Sequence, residues 1–321
     1  MSKKALIAIG GNSLIRAGQR GTIEEQYENA FSTALSISKM LKNGWEIIVT
    51  HGNGPQSGAA LIRSERASNE VYTHPLDMCV ATTQSEIGYI LQRAFNDAFI
   101  QENIKSEVMT LLTMVVVDEN DIAFKNPTKP IGPFYTRKVA MDKKKNLGWQ
   151  VVEDAARGWR RVVPSPEPKE ILGVDLIGKI IDMGILTIAL GGGGIPVIKK
   201  ENGSIIGSEA VIDKDRSSAL LATVMKVDMF VISTDADKVY LNYKKENQQG
   251  LELVTLSEIK EYYNQGHFPP GNMGPKIEAV IRFVEQSHNK AIITTFEYLP
   301  DAIIGKAGTT IIPDNMKKNF N

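Results

Sequence analysis

Short apolar runs of strand length alternate along the chain with longer stretches of helical period. Residues 4–11, KALIAIGG, read as a buried strand that ends in glycine. From Thr22 to Asn43 the apolar positions Tyr27, Phe31, Ala34 and Leu41 recur on one helical face. Thr22 and Glu25 have capping-box spacing there, and Gly44 supplies the stop. EIIVTHGNG, residues 46–54, is the next strand and again ends in glycines. Helical patterns follow over 55–68 and 77–102, then a strand over 107–118, a helix over 168–183 and a strand over 185–194, ILTIALGGGG. Asn202 and Gly203 between two apolar runs signal a hairpin. A helix over 210–225, a strand over 227–234, helices over 257–266 and 274–288, a strand over 290–296 and a final run, AGTTII, complete the order.

This alternation predicts an α/β fold with an open, mostly parallel sheet and helices on both faces. Ligands of such sheets gather beyond the carboxyl ends of the strands. Here three strands end in glycine-rich loops: residues 10–12, 51–54 and 191–194. Glycine permits positive φ and leaves backbone amides uncovered, so successive glycines can cradle an anion, aided by the positive end of a following helix. Each loop taken alone reads equally well as a tight strand-to-helix turn. Four glycines in a row, however, exceed what a turn requires. GxxxxGK[ST] is absent and GxGxxG does not follow the first strand, so neither a Walker-type NTPase nor a dinucleotide fold is supported.

Phosphate chemistry without those motifs must draw positive charge from separately placed lysines. Lys214 and Asp215 open a helix, and Lys276 follows a Gly/Pro turn in the first turn of another. A lysine at a helix start opposes the macrodipole, which points to an anion between the two. Lys129 stands between two prolines in NPTKPIGPF. VISTDADKVYLNY ends a strand with Asp235 and Asp237, followed by Tyr240 and Tyr243. These offer a carboxylate and an aromatic face to a nucleotide, or simply a polar turn.

Residues 119–170 interrupt the alternation. They hold 6 of the chain's 14 prolines and 11 Lys/Arg against 7 Asp/Glu. This segment reads as a subdomain inserted in one domain spanning residues 1–321, either a lid over an anionic site or a solvated basic surface. The whole chain is balanced, with 37 Lys plus Arg and 37 Asp plus Glu, which disfavours nucleic acid or an anionic membrane as partner. The single cysteine, Cys79, excludes an intramolecular disulfide and reads as a core residue. His51, His74, His267 and His288 lack metal-ligand spacing, so no metal site within the chain itself is expected. The opening MSKKALIAIGG is too short for a signal peptide or a bilayer span, and the expectation is a cytoplasmic protein.

With these residues in view, the chain resembles the carbamate kinases of the amino-acid kinase superfamily. The resemblance runs from AIGGNSL to GKAGTTII through THGNGPQ, PLDMCVA, NPTKPIGPFYT, RGWRRVVPSPEP, GGGGIPV, EAVIDKD, DADKVYLNY and GHFPPGNMGPK. NPTKP followed by GWRRVVPSP is distinctive of carbamate kinases. The resemblance implies an eight-stranded-type sheet with a protruding subdomain over the active site. It further implies a homodimer and reversible Mg2+-dependent phosphoryl transfer between carbamoyl phosphate and ADP, giving ATP and carbamate. By motif match, Gly10, Gly11 and Asn12 approach the transferred phosphoryl, while Gly52 and Asn53 hold the carbamate. Lys129 is the lid lysine, Lys214 and Asp215 the catalytic pair, and Lys276 bridges nucleotide phosphates. Gly192 and Gly193 are candidate nucleotide-cradling glycines, and Asp235, Tyr243 and Met273 lie around the nucleotide.

The sequence departs from the family pattern at a few places. Thr82, Thr83, Gln84 and Ser85 stand where Met-Ser/Thr-Gln-Gly is usual. Ser13 replaces alanine, Ser57 valine and Asn272 serine. These changes keep open a paralogue acting on a related small carboxylate or carbamate. A third reading is a non-catalytic sensor of nucleotide or carbamoyl phosphate, against which the retained Lys129, Lys214, Asp215 and Lys276 weigh.

Overall fold

Lys3–Ile9 (β1) shows why the fold has two cores. Leu6 and Ala8 enter one buried cluster and Ala5, Ile7 and Ile9 another, because side chains of a strand alternate between its faces. The computed structural model describes residues 2–16, 18–154, 158–269 and 273–319. After β1 come the helix Ile23–Lys42 (α1), the strand Trp45–His51 (β2) and the helices Gly54–Arg66 (α2) and Leu76–Gln101 (α3). The expected capping box of α1 is present, with Thr22 and Glu25 exchanging bonds.

The run 107–118 is not one strand. It divides into Val108–Thr110 (β3) and Met114–Val117 (β4), which belong to different sheets. The break is made by side chains: Thr113 N–H donates to Gln84 Oε1 at 2.7 Å and the Thr113 hydroxyl to the Leu111 carbonyl at 3.0 Å. The chain then leaves the body through Lys129–Tyr135 (β5), the helix Arg137–Leu147 (α4), Val151–Glu153 (β6) and Trp159–Val163 (β7). It returns as Pro168–Ile171 (β8), antiparallel to β4. The helix expected from residue 168 therefore starts only at Val174–Asp182 (α5), after Gly173 turns the chain at φ 77°. By the same token residues 168–170 of the inserted segment belong to a body strand.

Leu186–Ile188 (β9) leads into the four-glycine turn. The expected hairpin follows as Ile195–Lys199 (β10) and Ile205–Gly207 (β11). The next helix, Lys214–Val224 (α6), starts four residues later than its apolar pattern implies, because Asp213 caps it. Met229–Ser233 (β12), Val239–Leu241 (β13), Gln249–Leu251 (β14) and Leu253–Thr255 (β15) precede the helices Leu256–Asn264 (α7) and Met273–Ser287 (α8). Lys290–Thr294 (β16), Leu299–Ile303 (α9) and Thr309–Ile312 (β17) finish the fold.

The main sheet runs β15-β17-β16-β12-β1-β2-β9-β3, with every neighbouring pair parallel except β16 and β17. Helices α5 to α8 cover one face, and α1, α3 and α9 the other. Because β1, β2 and β9 are adjacent and parallel, their glycine loops emerge side by side at one edge.

The segment between β4 and β8 has its own sheet, β5-β7-β6. Its basic residues are not merely solvated. Trp149 is buried, with Lys143 Nζ 4.5 Å and the Arg161 guanidinium 4.7 Å from its ring centre. Ile131 and Val163 join Leu61, Cys79 and Val211 in a third cluster that fastens this segment to α2 and α3. Burial pushes the Cys79 thiol up to about 11, helped by Asp77, so it behaves as a core residue. Arg161 also pairs with Glu65 of α2 at 2.7 Å.

The tightest point of that seam is Gly58 against Gly132: a Cβ on Gly58 would lie 2.1 Å from the Gly132 backbone. Alanine there gains about 1 kcal/mol of helix propensity but meets backbone, where overpacking costs about 1–3 kcal/mol or more. Gly58→Ala is therefore expected to lower the thermal midpoint, measured by circular dichroism; an unchanged or raised midpoint would show that the seam is loose.

Candidate active site

Four loops meet at the carboxyl edge: Gly10–Gly11 after β1, Gly52–Pro55 after β2, the glycine turn after β9 and Asp213–Asp215 entering α6. Of these loops Gly11, Gly52 to Pro55, Gly192 and Asp213 to Asp215 line one cleft of about 240 Å³ together with Lys129, Pro275 and Lys276. Gly11, Gly52, Asn53, Gly192, Lys129, Lys214, Asp215 and Lys276 are thus brought together. Gly10 lines the adjoining cavity with Ser13, Arg16, Thr234 and Asp235. The expected part of Asn12 rests on a side chain outside the described residues, as does the departure at Asn272.

The four glycines answer a packing need more than a need for open amides. Leu190, Gly192, Gly193 and Gly194 all have positive φ, from 51° to 93°. The N–H groups of Gly193 and Gly194 close the turn on the carbonyls of Leu190 and Gly191, at 2.9 and 3.1 Å. Side chains are excluded by neighbours: a Cβ would fall 2.5 Å from His51 Nε2 at Gly191, 2.3 Å from Asn53 Nδ2 at Gly192, and 2.5 Å from the Ile212 carbonyl at Gly193. The turn lets Asn53, His51 and the start of α6 crowd together. Ser217 locks that contact, its hydroxyl donating to the Gly193 carbonyl at 2.7 Å.

The cleft's charges are ordered by two carboxylates. Asp215 is buried and accepts Lys214 Nζ at 2.5 Å on one oxygen and Lys276 Nζ at 2.9 Å on the other. Asp213 caps α6 through one oxygen, to the N–H groups of Asp215 (2.9 Å) and Arg216 (3.3 Å), and accepts Lys129 Nζ at 2.5 Å on the other. Burial works against ionisation of Asp215, but Lys214 and Lys276 overcome it and hold its carboxyl far below the usual range. Burial pulls Lys214 below an ordinary lysine despite Asp215, with Lys276 adding to the fall. At Lys276 burial is outweighed by Asp215, and its pKa rises. Three ammonium groups face two carboxylates, so the cleft carries a surplus positive charge fitted to an anion.

Comparison with known proteins identifies the family. The amino acid kinase family pattern matches residues 3–295. The carbamate kinase of Thermococcus kodakarensis is 45% identical over 97% of this chain and 99% of its own. A carbamate kinase from Giardia lamblia bound to citric acid superposes with a TM-score of 0.93 at 40% identity, covering 98% of this chain and 99% of the other. The same enzyme bound to AMP-PNP gives 0.89 at 41% identity, with 98% and 99% covered. The chain belongs to the carbamate kinases of the amino acid kinase family. It is a phosphotransferase with the α/β fold of that family.

The carbamate kinase residues expected around the nucleotide share a second cavity beside the charged cleft. Asp235, Tyr243 and Met273 line it together with Tyr240, His267, Phe268 and Pro269. The last three went unnoticed as site residues in the sequence, although HFPP directly precedes GNMGPK. Gly192 stands in the charged cleft rather than in this aromatic cavity, and Gly193 is buried against Ile212 behind it. Asp213 was also missed; its only signal is its place one residue before Lys214.

The departures from the family pattern divide in two. Thr83 and Gln84 are buried supports: the Thr83 hydroxyl accepts Asn53 Nδ2 at 2.9 Å, and Gln84 Nε2 donates to the Gly191 carbonyl at 2.8 Å. Thr82 and Ser85 are exposed on α3, and their hydroxyls bond the α3 backbone. Ser57 is buried and bonds the Gly54 carbonyl within α2, at 3.3 Å.

His51 lies fully buried under the glycine turn. Its Nδ1 faces the Gly52 carbonyl at 3.0 Å, so that nitrogen carries the proton, and Nε2 has no partner. Burial, with Lys214 adding to it against the Gly52 bond, pushes the imidazole down to about 4. The unfolded chain takes up a proton near 6.5 and the folded one only near 4, so stability falls as pH drops through this window. The loss is at most about 3 kcal/mol. Urea midpoints between pH 7 and pH 4 should show a pH slope about one proton smaller in His51→Gln than in the parent, whatever the variant's absolute stability. An identical slope would show that His51 is not the group responsible.

Proposed function

We propose that this carbamate kinase transfers the phosphoryl group of carbamoyl phosphate to ADP, reversibly, in the cytoplasm. The convergence of Lys129, Lys214 and Lys276 around Asp213 and Asp215 at a parallel-sheet edge carries this reading. Phosphoryl transfer needs alignment and neutralisation of charge on the equatorial oxygens more than covalent help. Lys214 and Lys276 supply that charge from fixed positions, already oriented by Asp215 and shielded from water, where such groups act most strongly. Gly11 leaves open space at the cleft wall for the transferred group, with Gly10 behind it. Gly52 and Asn53, the latter held by Thr83, take the carbamate end. The aromatic cavity takes the nucleoside, with Asp235 near its sugar. The segment carrying Lys129 covers the site as a lid and keeps water from carbamoyl phosphate.

Among the described residues no group of three acidic, histidine or cysteine side chains could hold a metal ion. The cleft offers only Asp213 and Asp215, both engaged by lysines. That donor set fits a magnesium ion brought in on the nucleotide's phosphates, with water completing its shell. Bound there, the ion would neutralise phosphate charge alongside the lysines.

Among the buried departures, Ser57, Thr83 and Gln84 face inward as supports and Ser13 lines the cavity beside Gly10. We also expect a homodimer. Its support is the open edge of β3, where Met109 is exposed and where Leu112 and Tyr89 line a shallow cavity with Thr110. Light scattering of the purified protein tests this, and a monomer at micromolar concentration would contradict it.

The decisive assay is ATP formation from ADP, Mg2+ and carbamoyl phosphate, run beside acetyl phosphate as control. Activity is expected with carbamoyl phosphate, and activity with neither donor would favour a nucleotide-binding sensor. Lys276→Ala or Lys129→Ala should lower turnover about a hundredfold or more, as loss of a single charge-stabilising group does elsewhere. Near-normal turnover in either variant would remove that lysine from the catalytic set.

A further inference from the structure

Lys129 reaches the cleft from outside the body, at the first position of β5. Glu167 pairs with Arg216 and the Val211 amide donates to the Pro164 carbonyl where its segment rejoins the body, and two further attachments bear on Lys129 itself. One is the α2 seam, made of Gly58 on Gly132, the Ile131 cluster and the Arg161–Glu65 pair. The other crosses the cleft itself: Lys129 Nζ on Asp213 Oδ2, at 2.5 Å. The two differ in kind. The seam is close packing with one ion pair and uses none of the cleft's lysines or carboxylates. The Lys129–Asp213 pair spans the space between the Gly52–Pro55 wall and the α6 wall, so an entering phosphate competes with Asp213 for Lys129.

Asp213 cannot follow the lysine away. Its Oδ1 is tied to the Asp215 and Arg216 amides at the start of α6, where a carboxylate also complements the helix dipole. It is a fixed carboxylate with one oxygen committed to the helix and one offered to a mobile ammonium. A lysine stem has four rotatable carbons, and without a fixed partner Lys129 would sample many positions. The neighbouring acid plays a different part, since both oxygens of Asp215 belong to Lys214 and Lys276.

We propose that Asp213 is the positioning residue for Lys129: it latches the lid strand to the start of α6 and delivers the lysine to the transferred phosphoryl group. The proposal rests on the catalytic reading of Lys129 above. Asp213→Asn is the test, because asparagine caps a helix as well as aspartate does but turns an amide toward Lys129. The variant should keep its thermal midpoint and its ADP affinity by calorimetry. Its kcat/KM for carbamoyl phosphate should fall between about tenfold and a hundredfold, the cost of a misplaced group. Added to Lys129→Met, it should cost less than about threefold more, because the two residues act as one unit. Amide exchange should quicken in 129–135 and stay unchanged in 214–218.

A purely structural cap predicts full activity in Asp213→Asn, because asparagine keeps the cap, whereas quickened exchange in 214–218 would show that the loss came from the helix start and not from Lys129. Either result, or losses that simply multiply in the double variant, overturns the latch. If Lys129→Met is impaired and Asp213→Asn is not, the latch alone fails. If Lys129→Met itself is near normal, the catalytic reading of Lys129 fails first.

Discussion

Two ammonium groups sharing one buried carboxylate are the constraint on which this carbamate kinase is built. Lys214 and Lys276 come from different helices, 62 residues apart, and would repel one another across the cleft without Asp215 between them. The carboxylate in turn tolerates burial only because both its oxygens are charge-paired. The three residues therefore stand or fall together, and they fix α6 against α8 over the same sheet edge. An arrangement with surplus positive charge is poorly satisfied by itself. It is suited to a ligand that brings several negative charges, as a nucleotide and an acyl phosphate do.

The glycine turn after β9 serves that constraint indirectly. It brings His51, Asn53 and the beginning of α6 closer than any side chain would allow. Ser217 then bonds the turn and Ser218 bonds Thr50 of β2 at 2.6 Å, so α6 is held down at its amino end. Asn53 is fixed from the other side by Thr83. The loop after β2, the glycine turn and the lysine-bearing helix thus form one packed unit, which a displacement at any member would disturb.

Much of this was legible in the residues. Alternating strand and helix patterns gave the parallel sheet, and the glycine endings of β1, β2 and β9 marked its carboxyl edge correctly because those strands are neighbours. Lysines at helix starts, which oppose the dipole, marked Lys214 and Lys276. What stayed hidden depends on contacts remote in sequence. The 107–118 strand is broken by Gln84 of α3, and residues 168–171 pair with β4 rather than coil, neither of which a local period can reveal. The four glycines spoke of open amides, whereas they answer to neighbours from three other segments. Asp213 looked like one more acid near a lysine until its two oxygens were seen facing different partners.

If Asp215 holds Lys214 and Lys276 in place for phosphoryl transfer and does not itself bind the nucleoside, its loss should separate transfer from nucleotide binding. Single-turnover ATP formation in Asp215→Asn, set beside ADP binding by calorimetry in the same protein, tests it most directly. Transfer should fall about a thousandfold while the folded variant still binds ADP in its aromatic cavity. Transfer within a few-fold of the parent would show that Asp215 does not position the two lysines.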